Sequence, residues 1–201
     1  NPVISHRGSQ ATRPFATLAK DPARQLVVVD PRHTETAQRA DRHLASRPGT
    51  DAQFLIAVIK ILLDEQLGDP AFLERTDGIS AVRHALQEAS VGELATRCGL
   101  DEDDIHAVAR EFAAAKSACI FWDLGVEQCR YSTLVSYLIR VVLVLTGNIG
   151  NPGGNGFLST FLPTTGPRRK PPPVAPESGI PALPMFGQLG YFSPNLMAEE
   201  I

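Results

Sequence analysis

Apolar residues are arranged in three ways along this chain. At residues 25–30 they run without a break through Leu26-Val-Val-Val29, the pattern of a strand covered on both faces in a parallel sheet. At residues 50–67 they recur at helical spacing, and Phe54, Leu55, Val58, Ile59, Leu62 and Leu63 make one apolar face. Thr50 and Gln53 have the spacing of a capping box at its start. At residues 131–145 a third run predicts a long helix, stopped by Gly147. Shorter helices are predicted at 9–20, 70–75, 79–88, 92–97 and 102–115, with Ser90 and Glu93 as a second capping box. Residues 118–122 read as a second buried strand. Strand, long helical crossover, strand and helix make an α/β order with a mostly parallel sheet.

The pattern breaks after Gly150. Asn151-Pro-Gly-Gly-Asn-Gly156 is irregular, and residues 166–176 hold Arg168-Arg-Lys170 and a run of prolines. Residues 1–156 are therefore read as an α/β domain, and 157–201 as a Pro/Gly-rich C-terminal extension, an extended arm. The chain has 201 residues, 43% of them hydrophobic, enough for one core plus such an arm. Asn1 is no initiator Met and no signal segment comes after it, so a piece of a longer protein is expected.

Net charge is −3, which gives no electrostatic reason to expect nucleic acid or an anionic membrane as a partner. The run from Leu134 to Leu145 is shorter than the ~20 residues of a bilayer span and carries Arg140, so a core helix is expected and no membrane insertion. A cytoplasmic location is expected. The 3 cysteines, Cys98, Cys119 and Cys129, show no Cys-x-x-Cys pair, which argues against a disulfide framework, a zinc site or an iron–sulfur cluster within the chain. All three read as buried or half-buried thiols. No pair among the 5 histidines has metal-ligand spacing, and no Ser/His/Asp or Cys/His set assembles. No catalytic and no metal-ligating residue is assigned. His6 alone is a candidate to lie near a cofactor.

Three segments carry candidate chemistry. Asp30-Pro-Arg-His-Thr34 leaves the first strand, and Pro31 ends its ladder. Asp30 can accept from a ribose or base, and Arg32 can pair with phosphate; equally, this is an Asp-Pro turn with Arg32 in solvent. Arg47-Pro-Gly-Thr-Asp51 opens a helix. Thr50 as N-cap and Asp51 as a dipole partner account for it structurally. Functionally, a carboxylate matches the N1–H and N2 amine of guanine, and Gly49 lets a flat base approach. Leu124-Gly-Val-Glu-Gln128 comes after the second strand, so in a parallel sheet it would border the same crevice. Gly125 suits a tight turn there and Gln128 can read a heterocycle; the alternative is a plain loop. No Gly-x-Gly-x-x-Gly comes after either strand, which disfavours a simple NAD or FAD site. Residues 91–105 have the outline of a helix-turn-helix, but Asp101, Glu102, Asp103 and Asp104 would lead into the groove and be repelled by phosphate.

Taken in order, Asn1-Pro-Val-Ile-Ser-His6, Val28-Val-Asp-Pro-Arg-His-Thr-Glu-Thr-Ala37, Ala40-Asp41, Arg47-Pro-Gly-Thr-Asp51, Leu124-Gly-Val-Glu-Gln128 and Leu145-Thr-Gly-Asn-Ile-Gly-Asn-Pro-Gly-Gly154 resemble the molybdopterin oxidoreductases. This is the family of formate dehydrogenases, nitrate reductases and dimethyl sulfoxide reductase. The resemblance covers residues 1–156. It implies a Rossmann-like three-layer domain, with a mostly parallel sheet, inside a larger catalytic subunit. That domain would hold one guanine dinucleotide arm of a bis-molybdopterin cofactor carrying Mo or W. The positions it implies for cofactor binding are Asn1, Asp30, Pro31, Arg32, Thr34, Gly49, Thr50, Asp51, Leu124, Gly125 and Gln128. The metal ligand, and the cysteines of any iron–sulfur cluster, would lie upstream. The parent would be an oxidoreductase, with its remaining domains and an electron-transfer subunit as partners, and the isolated chain would be inactive. The rival reading is a non-catalytic α/β scaffold or protein-binding module that keeps the domain without the metal cofactor.

Overall fold

A computed structural model describes residues 12–156. Asn1, His6 and the arm at 157–201 lie outside the described residues. In chain order the elements are α1 (Thr12–Leu18), β1 (Val27–Val29), a 3-10 turn (Ala37–Arg39) and β2 (Arg42–Leu44). They continue with α2 (Asp51–Asp64), α3 (Pro70–Leu73), α4 (Ile79–Ala85), α5 (Val91–Cys98), α6 (Glu102–Ala114), α7 (Leu124–Glu127) and α8 (Ser132–Leu145). The α/β class holds, but the sheet among the described residues is small. β1 and β2 pair in parallel, Val27 opposite Arg42 and Val29 opposite Leu44. Nothing in the local pattern predicts β2, because Arg42-His-Leu44 has one apolar residue and no alternation to read. The return from β1 to β2 uses about a dozen residues, near the shortest crossover a parallel pair allows, and a 3-10 turn replaces the usual helix. With so few strands, β1 is only partly covered, and Val29 is exposed rather than buried on both faces.

The core is built on α2, which packs against α5, α6 and α8. All six residues of its expected apolar face are buried, and so are Ala52, Ala57 and Ile61, because helices close it on several sides. Arg42 ties the sheet to α6, its guanidinium 2.7 Å from Asp104 Oδ1 and 2.9 Å from Glu111 Oε1. Asp101 caps α6 by accepting from the Asp103 amide, 2.9 Å. Asp101 and Asp104 at the start of α6 thus have structural work. Ser90 caps α5 through the Glu93 amide. No helix among the described residues is long and apolar enough to cross a membrane. Cys98 is buried and Cys129 half-buried, but Cys119 is exposed, contrary to expectation.

The second expected strand is absent. Residues 118–122 form no strand, and their main-chain groups are met by asparagine side chains. Asn155 Nδ2 donates to the Ile120 carbonyl and Asn155 Oδ1 accepts from the Ile120 amide, both at 2.8 Å. Asn148 Oδ1 accepts from the Ala118 amide at 2.9 Å. One carboxamide thus does for Ile120 what a neighbouring strand would do. The turn that presents these asparagines starts at the end of α8. Asn148 N donates to Leu143 O and Gly147 N to Val144 O, with Gly147 at φ +68°; this is a Schellman stop. A Cβ on Gly154 would run into the Asn148 carbonyl, so the glycines here allow the chain to fold back on itself.

Asn155→Ala is expected to destabilise the chain by about 1–3 kcal/mol, the cost of leaving a half-buried donor and acceptor unmet. Asn155→Asp keeps the acceptor for the Ile120 amide but turns a carboxylate oxygen toward the Ile120 carbonyl, and is expected to lose at least as much. Urea denaturation followed by circular dichroism reads both; an Asn155→Ala midpoint equal to the parent's would show that water replaces the carboxamide.

Candidate functional site

The parallel pair sends two of the three candidate segments out of one edge. Asp30 comes directly after β1, and its amide donates to Leu44 O, the last residue of β2, at 3.1 Å. The 47–51 turn leaves the same carboxyl edge just beyond Leu44. Asp30 Oδ1 accepts from the Arg32 amide at 2.9 Å, an Asx turn that bends the chain at Pro31. Pro31 and Arg32 are exposed, and the Arg32 guanidinium has no ion-pair partner among the described residues. On the neighbouring strand, His43 Nε2 lies 2.8 Å from the Asp30 carbonyl. Thr34 is different in kind. It is buried, and its hydroxyl accepts from the Ala37 amide, 3.3 Å, at the start of the 3-10 turn. In this structure Thr34 holds its own loop.

The 47–51 turn does not close as a capping box. Thr50 Oγ1 donates backwards to the Arg47 carbonyl at 2.7 Å and caps no α2 amide. Gln53 Oε1, which the box would have employed, is buried without a hydrogen-bond partner. Gly49 sits at φ +78° with open space where a side chain would be. Asp51 opens α2 and is half-buried. Burial pushes its carboxyl above the usual aspartate range, against a smaller opposite pull from its own main-chain amide. No Lys, Arg or His among the described residues stands within ion-pair distance of it. Arg47, the cation nearest in sequence, turns instead to the end of α5, with Nη1 3.1 Å from the Thr96 carbonyl. The turn also touches a residue that sequence reasoning does not single out as functional. The buried Cys98 thiol donates to the Thr50 carbonyl at 3.7 Å, and burial raises its pKa.

The expectation that the third segment borders the crevice took residues 118–122 as a strand of the same sheet, and they form none. Leu124–Glu127 forms the single-turn helix α7, with Asp123 Oδ1 accepting from the Leu124 amide and Gln128 as its C-cap. Leu124 is exposed, and α7 packs against α8. Gly125 lies inside this turn at an ordinary φ, with nothing within 4 Å of a would-be Cβ, so no tight turn demands a glycine there. Asp30 and Asp51 thus share an edge by topology, and Leu124, Gly125 and Gln128 are not brought to it by any strand.

A depression of about 630 Å³ lies elsewhere, lined by residues from the later part of α2 and from α4, among them Lys60, Asp64 and Arg83. Lys60 is nine residues along α2 from Asp51, about 13 Å at 1.5 Å per residue. Its charged groups are already employed: Lys60 pairs with Asp64 at 2.6 Å, and Arg83 donates to the Leu63 carbonyl at 3.2 Å. No group of metal-ligating side chains occurs among the described residues.

No protein-family model matches the chain. Curated relatives do. The chain is 31% identical over 140 residues to the assimilatory nitrate reductase catalytic subunit of Bacillus subtilis, covering 69% of this chain and 20% of that protein. It is 33% identical over 135 residues to formate dehydrogenase H of Escherichia coli, covering 67% and 19%. Against nitrate reductase of Symbiobacterium thermophilum the values are 34% over 150 residues, 70% and 20%. Among solved structures, acetylene hydratase from Pelobacter acetylenicus superposes with a TM-score of 0.67 at 26% identity, over 73% of this chain and 20% of that one. The chain thus spans about one fifth of the length of the relatives it matches.

Proposed function

The chain belongs to the molybdopterin oxidoreductase family, and on that premise we propose that its α/β part holds the guanosine end of a molybdopterin guanine dinucleotide in a larger oxidoreductase. One observation carries the reading: Asp51 is a half-buried carboxylate with no cation among the described residues to compensate it. A buried charge left unpaired costs free energy, and such groups cluster where a ligand completes them. The N1–H and N2 amine of guanine are two adjacent donors, and a carboxylate presents two acceptors. The open space over Gly49 admits a flat ring beside the turn. From the same edge, the remaining carboxylate oxygen of Asp30 can accept from a ribose hydroxyl. The exposed Arg32 guanidinium can pair with phosphate.

When bound, the metal of that cofactor supplies two-electron chemistry; residues of this chain bind and orient its nucleotide arm. No residue here is assigned to the metal, and the 201-residue chain alone is expected to turn over neither formate nor nitrate. The Rossmann-like three-layer domain at 1–156, the separate arm at 157–201, and contact with other domains or an electron-transfer subunit belong to the same proposal. Asn1 remains part of the proposed set. Leu124, Gly125 and Gln128 remain candidates on the resemblance alone.

The test uses guanosine diphosphate, a fragment of the arm, and adenosine diphosphate as its control. Titrated into the ¹⁵N-labelled chain at millimolar concentration, the guanine nucleotide is expected to shift the Gly49 and Asp51 amides. The adenine nucleotide, whose edge offers one amine and no adjacent ring N–H, is expected to leave them in place. Equal shifts from both would overturn base reading by Asp51.

A further inference from the structure

The last turn of α5 offers carbonyls that a helix cannot satisfy internally. Two are taken by a Schellman stop: Leu100 N donates to Ala95 O at 3.1 Å and Gly99 N to Thr96 O at 3.2 Å, with Gly99 at φ +68°. The other two, and Thr96 O a second time, are met by one residue from a distant part of the chain. Arg47 N donates to Cys98 O at 2.8 Å, and Arg47 Nη1 reaches Thr96 O at 3.1 Å and Arg97 O at 3.4 Å. A guanidinium at a helix C-terminus is also favoured by the dipole. Arg47 in turn fixes the rest of its turn, since its carbonyl accepts from both the amide and the hydroxyl of Thr50, at 3.2 and 2.7 Å. Gly99 leaves the room this needs, because a Cβ there would lie 3.0 Å from Arg47 Nε and 3.2 Å from its Cγ.

We propose that Arg47 is a positioning residue for the nucleotide site: it clamps the 47–51 turn to the C-terminus of α5, so that α5 sets where the Asp51 carboxylate stands. This rests on the assignment of Asp51 to the base. An arginine beside a nucleotide site invites assignment to phosphate, but here two helix carbonyls share its Nη1 and hold the side chain along α5. Arg47 acts on the ligand through Asp51 and does not touch it. The raised titration of Asp51 fits a turn held in place against the core, where a loose one would swing the carboxylate into water.

The experiment compares Arg47→Ala, Arg47→Lys and Asp51→Ala in the full 201-residue chain, each at a temperature where it is folded. It reads guanosine diphosphate affinity and the Asp51 carboxyl titration by NMR. Arg47→Ala is expected to weaken binding by about tenfold, a factor worth about 1.4 kcal/mol, and to bring Asp51 down toward the usual aspartate range. Arg47→Lys keeps the charge but not the fork, and is expected to fall between Arg47→Ala and the parent in both. If Arg47→Ala does not fold, Arg47→Lys decides: weakened binding with a lowered Asp51 titration supports the clamp, and parental values overturn it. Parental affinity in Arg47→Ala, with binding lost in Asp51→Ala, overturns the clamp and leaves the base assignment standing. Parental affinity in Asp51→Ala overturns the base assignment and the clamp together.

Discussion

Ile59→Ala is expected to cost the chain about 2–5 kcal/mol, a large part of the roughly 5–15 kcal/mol that holds a domain of ordinary stability together. Ile59 is fully buried at the middle of α2. Removing three carbons forfeits their transfer from water and leaves a void that packed neighbours fill only in part. Collapse is restricted here, because α2 is held by α5, α6 and α8 together and cannot shift toward one without leaving another. Ile59→Val removes one methyl group at the same place and is expected to cost about 0.5–1.5 kcal/mol. Urea unfolding gives both values. Equal midpoints for the Ala variant and the parent would mean that α2 is not the centre of the core.

The legibility of α2 in the sequence has a physical cause. Phe54, Leu55, Val58, Ile59, Leu62 and Leu63 repeat at helical spacing because one side of a helix meets the core, and local order alone reveals it. The elements that differ depend on residues elsewhere in the chain. Residues 118–122 look like a strand by their own composition. Their partners are side chains of Asn148 and Asn155, and nothing in the local pattern announces a carboxamide in place of a strand. β2 differs in the opposite sense, since Arg42 and His43 are polar and Arg42 is spent on Asp104 and Glu111 in another helix.

The candidate site divides along the same line. Asp30 and the 47–51 turn leave one edge because β2 pairs in parallel with β1, and β2 is the strand that the sequence pattern does not announce. The Leu124–Gln128 segment depended on a strand that does not form. Thr50 and Gln53 have the right spacing for a capping box, yet the hydroxyl turns to Arg47. The spacing does not show that Arg47 is anchored on α5. Gly99 marks the end of α5 in the sequence, but nothing there says that the 47–51 turn rests on it.

Asp51→Asn is expected to separate stability from binding. In the free chain, burial holds the Asp51 carboxyl above the usual aspartate range, so the charged form is the costly one. Linkage sets the sign: a raised folded-state pKa contributes stability below the ordinary value, and that contribution is lost as pH rises through the raised one. Near neutral pH the carboxylate therefore weighs against the fold, and Asn, which carries no charge, removes that weight. The variant should unfold at the same temperature as the parent or above it near neutral pH. Its advantage should shrink as pH falls below the usual aspartate range, where the parent is protonated too. Binding should move the other way. The amide keeps one acceptor and turns a donor toward a guanine edge that itself donates, so one charge-assisted hydrogen bond is lost and a donor faces a donor. Bonds of that kind are worth about 1.5–3 kcal/mol, which is about 10- to 150-fold in guanosine diphosphate affinity. Thermal unfolding and nucleotide titration on the same preparation read both. A variant that melts well below the parent yet binds the nucleotide equally would make Asp51 a structural residue of the α2 start and end the case for a base site there.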